Sequence, residues 1–386
     1  MRVALVVAGD LGTESGGYRY DRRLRARLRA RSHDVDVHRL PVDSYARQLA
    51  ANGRRLGDRL SGYDVVVEDG LAGPSLLLAN RRLAVPTVAV VHFLRSRWPG
   101  GVGRLAARIV SAIERRFLRS VDAAIYPSDD TRLDASRLGC RAPGIVAPPG
   151  GDRFEPVSAG AWNPTETANG PLDVCFLGSV VERKGLDVLV EGLARTNVDW
   201  RLTAVGDPTV EPGYVDDIRR RAAALDVAGR VDLAGRLPDD AVARHLEAAD
   251  VIAVPSRYEP FGIAYLEGMA HGCVPVASAR GGADEFVTHD ENGFVVEPTP
   301  ASVVRVLDRL AGRDGRPDRD RLAELSLAAR TAYERQPTWT ESLDRVAGFL
   351  ERLGGESGPS RPSGRSGPHA EVGDRLSATD PTRTDP

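Results

Sequence analysis

Twice along this chain, short apolar runs of strand length alternate with longer helical patterns, and a stretch dense in proline and glycine separates the two series. That alternation confines the chain to the α/β class, because strands that each lead into a helix pack as parallel sheets covered on both faces. The first series predicts strands near 2–8, 35–38, 64–67, 87–91, 123–126 and 144–147, with helices around 17–31, 44–60, 102–119 and 129–138. Pro148, Pro149, Gly150, Gly151, Pro156, Pro164, Gly170 and Pro171 then break the rhythm. The second series restarts at Asp173-Val-Cys-Phe-Leu-Gly178, with strands near 200–205, 230–234, 251–254, 274–277 and 294–296. From about 300 to 353 the pattern is helical, and Leu343, Val346 and Leu350 recur at three and four, one apolar face. Residues 354–386 hold too few large apolar side chains to offset the entropy of ordering, so a disordered tail is expected. The organisation predicted is a Rossmann-like domain over 1–150, a linker over 151–171, a second such domain over 172–335 and a terminal helix over 336–353.

A chain of 386 residues is long enough for two domains with separate cores. No apolar run approaches the ~18 residues of a membrane span, and Met1-Arg-Val-Ala-Leu-Val-Val-Ala8 reads as a first strand rather than a signal peptide. Cys140, Cys175 and Cys273 make neither a disulfide framework nor a metal cluster. Cys175 and Cys273 fall in strand-like runs, which fits buried thiols in a reducing cytoplasm. The net charge of −2 conceals an asymmetry: residues 1–160 carry 26 arginines against 17 acids, and the excess of acid lies in the remainder. The basic half suits an anionic partner such as the inner face of a cell membrane or a phosphorylated acceptor. It equally suits arginines on solvated helices. No nucleic-acid partner is expected. One basic stretch, Arg95 to Arg119, has a single acid, Glu114, and spaces Trp98, Leu105, Ile109, Ile113 and Phe117 as a helical face. Such a helix fits a membrane interface or ordinary packing with one wet side.

Chemistry concentrates at two glycine-marked turns. Asp250-Val-Ile-Ala-Val-Pro255 is a buried-strand pattern that runs through a loop into a helix, and Glu259 and Glu267 sit eight positions apart across that junction. A helix start offers unpaired N–H groups and a partial positive charge, which suits a phosphate. With Glu259 before the helix and Glu267 about two turns inside it, the two acids suit hydroxyls on either side of a diphosphate. The second turn, Phe176-Leu-Gly-Ser-Val-Val-Glu-Arg-Lys-Gly185, puts Arg183 and Lys184 after a strand and ahead of a helix. Lys184 is the only lysine beside 51 arginines, and its compact ammonium does different work from a planar guanidinium. Gly9-Asp-Leu-Gly-Thr-Glu-Ser-Gly-Gly17 lacks the dinucleotide spacing and is weak alone. His92 follows Thr87-Val-Ala-Val-Val91 at the carboxyl end of a strand, a ligand-binding position in open α/β sheets that a structural histidine also occupies. Residues 280–285 repeat the strand-to-helix nest with an acid at hand, and Asn292-Gly293 reads as a turn. Asp34 and Asp36 form an Asp-x-Asp, but their alternation marks outward-facing strand positions, and no metal is expected.

Together these segments resemble the retaining glycosyltransferases of family four, over roughly residues 1–353. Glu259-Pro-Phe-Gly-Ile-Ala-Tyr-Leu-Glu267 matches that family's Glu-x7-Glu motif, supported by Gly178 with Lys184-Gly185, Gly281-Gly282 with Glu285, Asn292-Gly293, and Gly16-Gly17. The resemblance implies the GT-B fold, two facing Rossmann-like domains, with the donor held mainly by the second and the acceptor by the first. It implies a nucleotide-diphosphate sugar as co-substrate, no other cofactor, and a sugar, lipid or lipid-linked glycan as acceptor. By position, Glu267 would hold the ribose hydroxyls, Glu259 and His92 the donor sugar, and Lys184 with Arg183 the diphosphate. Backbone at Phe261, Gly262 and Ile263 would meet the sugar and phosphates. Gly16, Gly17 and Gly178 would lie along the diphosphate, and the base near Gly235, Arg236 and Leu237. His92, Lys184 and Glu259 are the residues implied for catalysis. Two departures stand out: Ser179 replaces the arginine usual after Gly178, and Pro149-Gly-Gly-Asp152 keeps the aspartate but not the asparagine of the family's linker. A nucleotide-sugar epimerase and a catalytically silent sugar-nucleotide-binding subunit remain as rival readings.

Overall fold

The computed structural model describes residues 1–41, 45–52, 54–98, 103–154 and 170–355. Most of the expected linker and the expected disordered tail fall outside them. Two six-stranded parallel sheets carry the fold. The first contains β1 (Arg2–Ala8), β2 (Asp34–Leu40), β3 (Val65–Asp69), β4 (Thr87–Val90), β5 (Ala123–Tyr126) and β6 (Gly144–Val146), ordered β2-β1-β3-β4-β5-β6. The second contains β7 (Leu172–Leu177), β8 (Trp200–Val205), β9 (Val231–Gly235), β10 (Val251–Val254), β11 (Val274–Ser278) and β12 (Phe294–Val296), ordered β12-β11-β10-β7-β8-β9.

Burial explains why these residues are strands. Val3 to Ala8 are wholly buried, since β1 lies inside a sheet covered on both faces, and such strands read as unbroken apolar runs. At the edge, β2 alternates: Val35 is buried while Asp34 and Asp36 face out, and Tyr63 donates to Asp36 at 2.8 Å. Each sheet packs a separate apolar core on each of its faces. Successive strands depart to opposite sides between β1 and β3 and between β7 and β10. At such points the carboxyl-end loops open into a crevice where α/β sheets bind ligands.

One expectation needs correction. The helix predicted over 44–60 is two helices, Tyr45–Ala50 and Arg54–Leu60. Asn52 turns inward between them, donating to the Pro74 carbonyl and accepting from the Leu78 N–H at 2.9 Å, which replaces a further helical turn. The terminal helix, Trp339–Gly355, does not stay with the second sheet that precedes it. Trp339, Leu343, Val346, Ala347 and Leu350 pack against Val3, Leu5, Val7, Leu24 and Leu28 of the first. Asp152, the aspartate retained in the linker motif, accepts from the Trp339 N–H at 2.8 Å and anchors this return.

Candidate active site

The crevice at the second sheet is built by the loops after β7 and β10. After β7 the chain passes Gly178 and Ser179 into a 3-10 turn, Glu182–Lys184, then through left-handed Gly185 into the helix Leu186–Leu193. After β10 it passes Pro255 to Gly262 into the helix Ile263–Ala270. Lys184 and Glu259, 75 residues apart, meet here: Lys184 Nζ lies 2.5 Å from Glu259 Oε2, and Ser256 Oγ donates to the same oxygen at 3.0 Å. Arg183 stands 4.0 Å from that oxygen and donates to the Tyr258 carbonyl at 2.6 Å. Its guanidinium also lies over the Phe93 ring, 5.4 Å from the centroid, reaching the first half of the molecule. Burial opposes charge on Glu259, yet Lys184 and Arg183 hold its carboxyl below the ordinary range. Burial and the neighbouring Arg183 lower the Lys184 ammonium, against the pull of Glu259. Glu259 is therefore a carboxylate near neutrality, hydrogen-bonded to Lys184 at the switch point.

Gly262 sets where the adjoining helix starts. Its φ of 102° is left-handed, and a side chain there would strike the Tyr265 ring, so only glycine is unstrained. The helix consequently begins at Ile263 and Glu267 lies about one turn inside it, not two. Glu267 is buried, and its Oε1 is 2.6 Å from Arg19 Nη1 of the opposing half and 3.8 Å from Arg153. Burial raises its carboxyl despite both arginines. Phe261 packs its ring on Phe286, centroids 5.1 Å apart.

The opposing wall comes from the first sheet. Ser15 caps the helix Gly16–Ala30, accepting from the Tyr18 N–H at 3.3 Å. A side chain on Gly16 would begin 3.4 Å from Ile263 Cδ1, so the halves touch at the positions expected to flank the diphosphate. A side chain on Gly17 would begin 3.4 Å from the His92 ring. His92 Nε2 is 2.8 Å from Asp21 Oδ1. On the edge strand β9, Gly235 leads to exposed Arg236, which reaches Glu14 across the crevice at 3.8 Å, while Leu237 packs into the nearby core.

Some predicted residues do other work. Glu285 accepts from the Asp130 N–H at 3.0 Å and ties the halves together, as Ser128 does by donating to the Pro260 carbonyl at 2.7 Å. Asn292 bonds Thr288 and Phe286 within its own turn, in keeping with a structural reading. Four residues at the site escaped the sequence: Arg19, Arg153, Asp21 and Asp69. Nothing separates Arg19 from the other arginines of its helix. Asp69, however, ends the buried strand β3 beside the switch point, a position that marks it. Asp21, Asp69 and His92 bring polar atoms within 4.8 Å of one another, side-chain types able to share a cation or a proton.

Comparison with known proteins shows the family and the fold. Residues 163–325 match the family model described as glycosyl transferases group 1, and residues 2–151 match that of the glycosyl transferase 4-like domain. A GDP-mannose-dependent alpha-(1-6)-phosphatidylinositol monomannoside mannosyltransferase of Mycobacterium tuberculosis is 33% identical over 299 residues, covering 73% of this chain and 74% of that one. A D-inositol 3-phosphate glycosyltransferase of Xylanimonas cellulosilytica is 33% identical over 291 residues, covering 71% and 68%. Among solved structures, a sucrose-phosphate synthase from Thermosynechococcus elongatus superposes with a TM-score of 0.78 at 20% identity, over 92% of this chain and all of that one, which shows the GT-B fold.

Proposed function

Starting from a chain that belongs to the group 1 glycosyl transferases and takes its sugar from a nucleotide sugar, we propose that it acts with retention, without a metal ion, on a lipid-linked or glycan acceptor. The observation that carries this reading is the meeting of Lys184, Arg183 and Glu259 with a helix start at the β7/β10 switch point. Cleaving the anomeric bond releases negative charge onto the diphosphate. Lys184, Arg183 and the first N–H groups of the helix Ile263–Ala270 are placed to stabilise that charge as it develops. Glu267 accepts the ribose hydroxyls once Arg19 moves aside. The base lies along Gly235–Leu237, and His92 meets the donor sugar. Glu259 is committed to Lys184 and Ser256, so it serves as an anchor for the sugar rather than a covalent nucleophile. Retention then follows from attack on the face the diphosphate leaves: the acceptor oxygen bonds the anomeric carbon as the phosphate oxygen departs and takes the acceptor proton.

The donor of the mycobacterial relative puts guanosine diphosphate sugars first for trial. A lipid acceptor is supported by the helix Arg104–Leu118, where Val110 and Phe117 are buried but Leu105 and Ile109 stand 73% and 53% exposed among arginines. The experiment is to supply the protein with nucleotide sugars and acceptors, polyprenyl phosphates and diacylglycerol lipids included, and to measure nucleoside diphosphate and product. Turnover only with acceptor, with the anomeric configuration kept and insensitive to chelator, is expected. Donor conversion without acceptor would make it an epimerase, and binding without turnover a silent subunit. Lys184→Met removes a charge-assisted bond of roughly 1.5–3 kcal/mol, so kcat/KM falls about 10- to 150-fold.

A further inference from the structure

Two acids beneath His92 have no part in the proposed function. Asp21, in the second turn of the helix Gly16–Ala30, and Asp69, at the end of β3, are both sealed from solvent. Asp69 Oδ1 accepts from the Leu71 N–H at 2.9 Å, and Asp21 Oδ1 is engaged by His92 Nε2 at 2.8 Å. The second oxygen of each carboxylate is buried with no hydrogen-bond partner. Two carboxylates held this close repel one another when both are charged. Burial and the charge of Asp21 push Asp69 up to about 7. Burial alone would lower the imidazole, but Asp21 and then Asp69 raise it. The other titratable groups packed on the cluster are Tyr18, whose hydroxyl donates to the Ala8 carbonyl at 2.5 Å, and Tyr20, whose ring meets His92 edge-on at 5.2 Å, with Asp10 beyond Tyr18.

We propose that Asp21 is a positioning residue for sugar transfer: through its bond to Nε2 it fixes the orientation of His92 and supports the protonated ring, so that the other ring nitrogen is presented as a donor to a hydroxyl of the sugar. This rests on the reading that His92 meets the donor sugar. An aspartate behind an imidazole orients the ring and stabilises its charged form without touching substrate.

The test is a cycle of Asp21→Asn, His92→Gln and the double variant, read by steady-state kinetics across pH and by NMR titration of the His92 ring. Asparagine keeps an acceptor for Nε2–H, so folding should be preserved, with the melting temperature as check. Asp21→Asn should lower kcat on the order of 10- to 100-fold, change KM for the donor little, and move the alkaline limb of the kcat profile to lower pH with the His92 titration. In the His92→Gln background the same change should add nothing, because the two residues act as one unit. Additive losses in the double variant, or an unmoved His92 titration, would overturn the proposal. Should Asp21→Asn unfold, Asp21→Glu takes its place under the same criteria. A wild-type protein without transferase activity removes the underlying donor-site reading, whereas normal transfer by Asp21→Asn removes only the role of Asp21.

Discussion

Glu68 sits one residue before the end of β3, wholly buried, with a single donor, Asn80 Nδ2, at 2.9 Å from one oxygen. Burial raises its carboxyl to about 8. Its folded value thus stands above its unfolded one, so the stability it contributes is complete at acid pH below the unfolded value and is lost as pH rises through about 8. Glu68→Gln keeps the shape and removes the titration. Its melting temperature relative to wild type should climb between pH 5 and 8, and a difference flat in pH would show that Glu68 is already charged in the fold. Residues of this kind also mark how far the site was legible in sequence. Lys184 and Glu259 were readable because each follows a strand and lies among glycines, where a backbone must turn toward a ligand. His92 was readable too, at the carboxyl end of its strand, but Asp21 and Asp69 were not, since they stand 71 and 23 residues from it and only the sheet order brings the three together. Arg19 belongs to the same class: its partner, Glu267, comes from the far side of the crevice.

Among the elements, the terminal helix Trp339–Gly355 does more for the first sheet than its place in the chain suggests. It joins the helix Gly16–Ala30 through Arg27 and Asp344, paired at 2.8 and 2.5 Å, and through Glu351 with Arg31 and His33. These pairs lie largely open to solvent, which screens them, and they add little to stability. The apolar face decides the docking: Leu350, Val346 and Ala347 are fully buried. Leu350→Ala should cost about 2–5 kcal/mol, read as a lowered denaturant midpoint, whereas Asp344→Ala should shift it far less. Equal shifts would mean the ion pairs hold the helix. Sequence periodicity placed the strands and this apolar face, because burial on both sides of a parallel sheet leaves an unbroken apolar run. It did not say what the face covers, since a period of three and four specifies a buried side but not the surface it meets. The break of 44–60 into two helices was hidden for a similar reason: Asn52 is tolerated within a helix until Pro74 and Leu78 offer it partners.

At the scale of the whole molecule, two sheets of one design face each other across a crevice, with the basic half opposite the acidic one. The contacts that close it, Arg19 with Glu267, Arg236 with Glu14 and Asp130 with Glu285, pair the two halves along its length. Arginines left over on the outer face of the helix Arg104–Leu118 predict salt-sensitive attachment to anionic vesicles. Co-sedimentation should be strong at low ionic strength and fall as salt screens it; Leu105→Asp with Ile109→Asp should weaken it, and no binding at low salt would end the idea. The returning helix has a consequence for how the protein is made. A ribosome delivers the first sheet before the helix that completes one of its two cores, and Trp339 emerges only after the roughly 180 residues beyond 154 have been added. At about 5–20 residues per second that interval lasts on the order of 10–40 s. During it, the apolar cluster around Leu24 and Leu28 lacks the cover that Trp339, Leu343, Val346 and Leu350 later give it, a surface a chaperone would shield until synthesis supplies its permanent occupant.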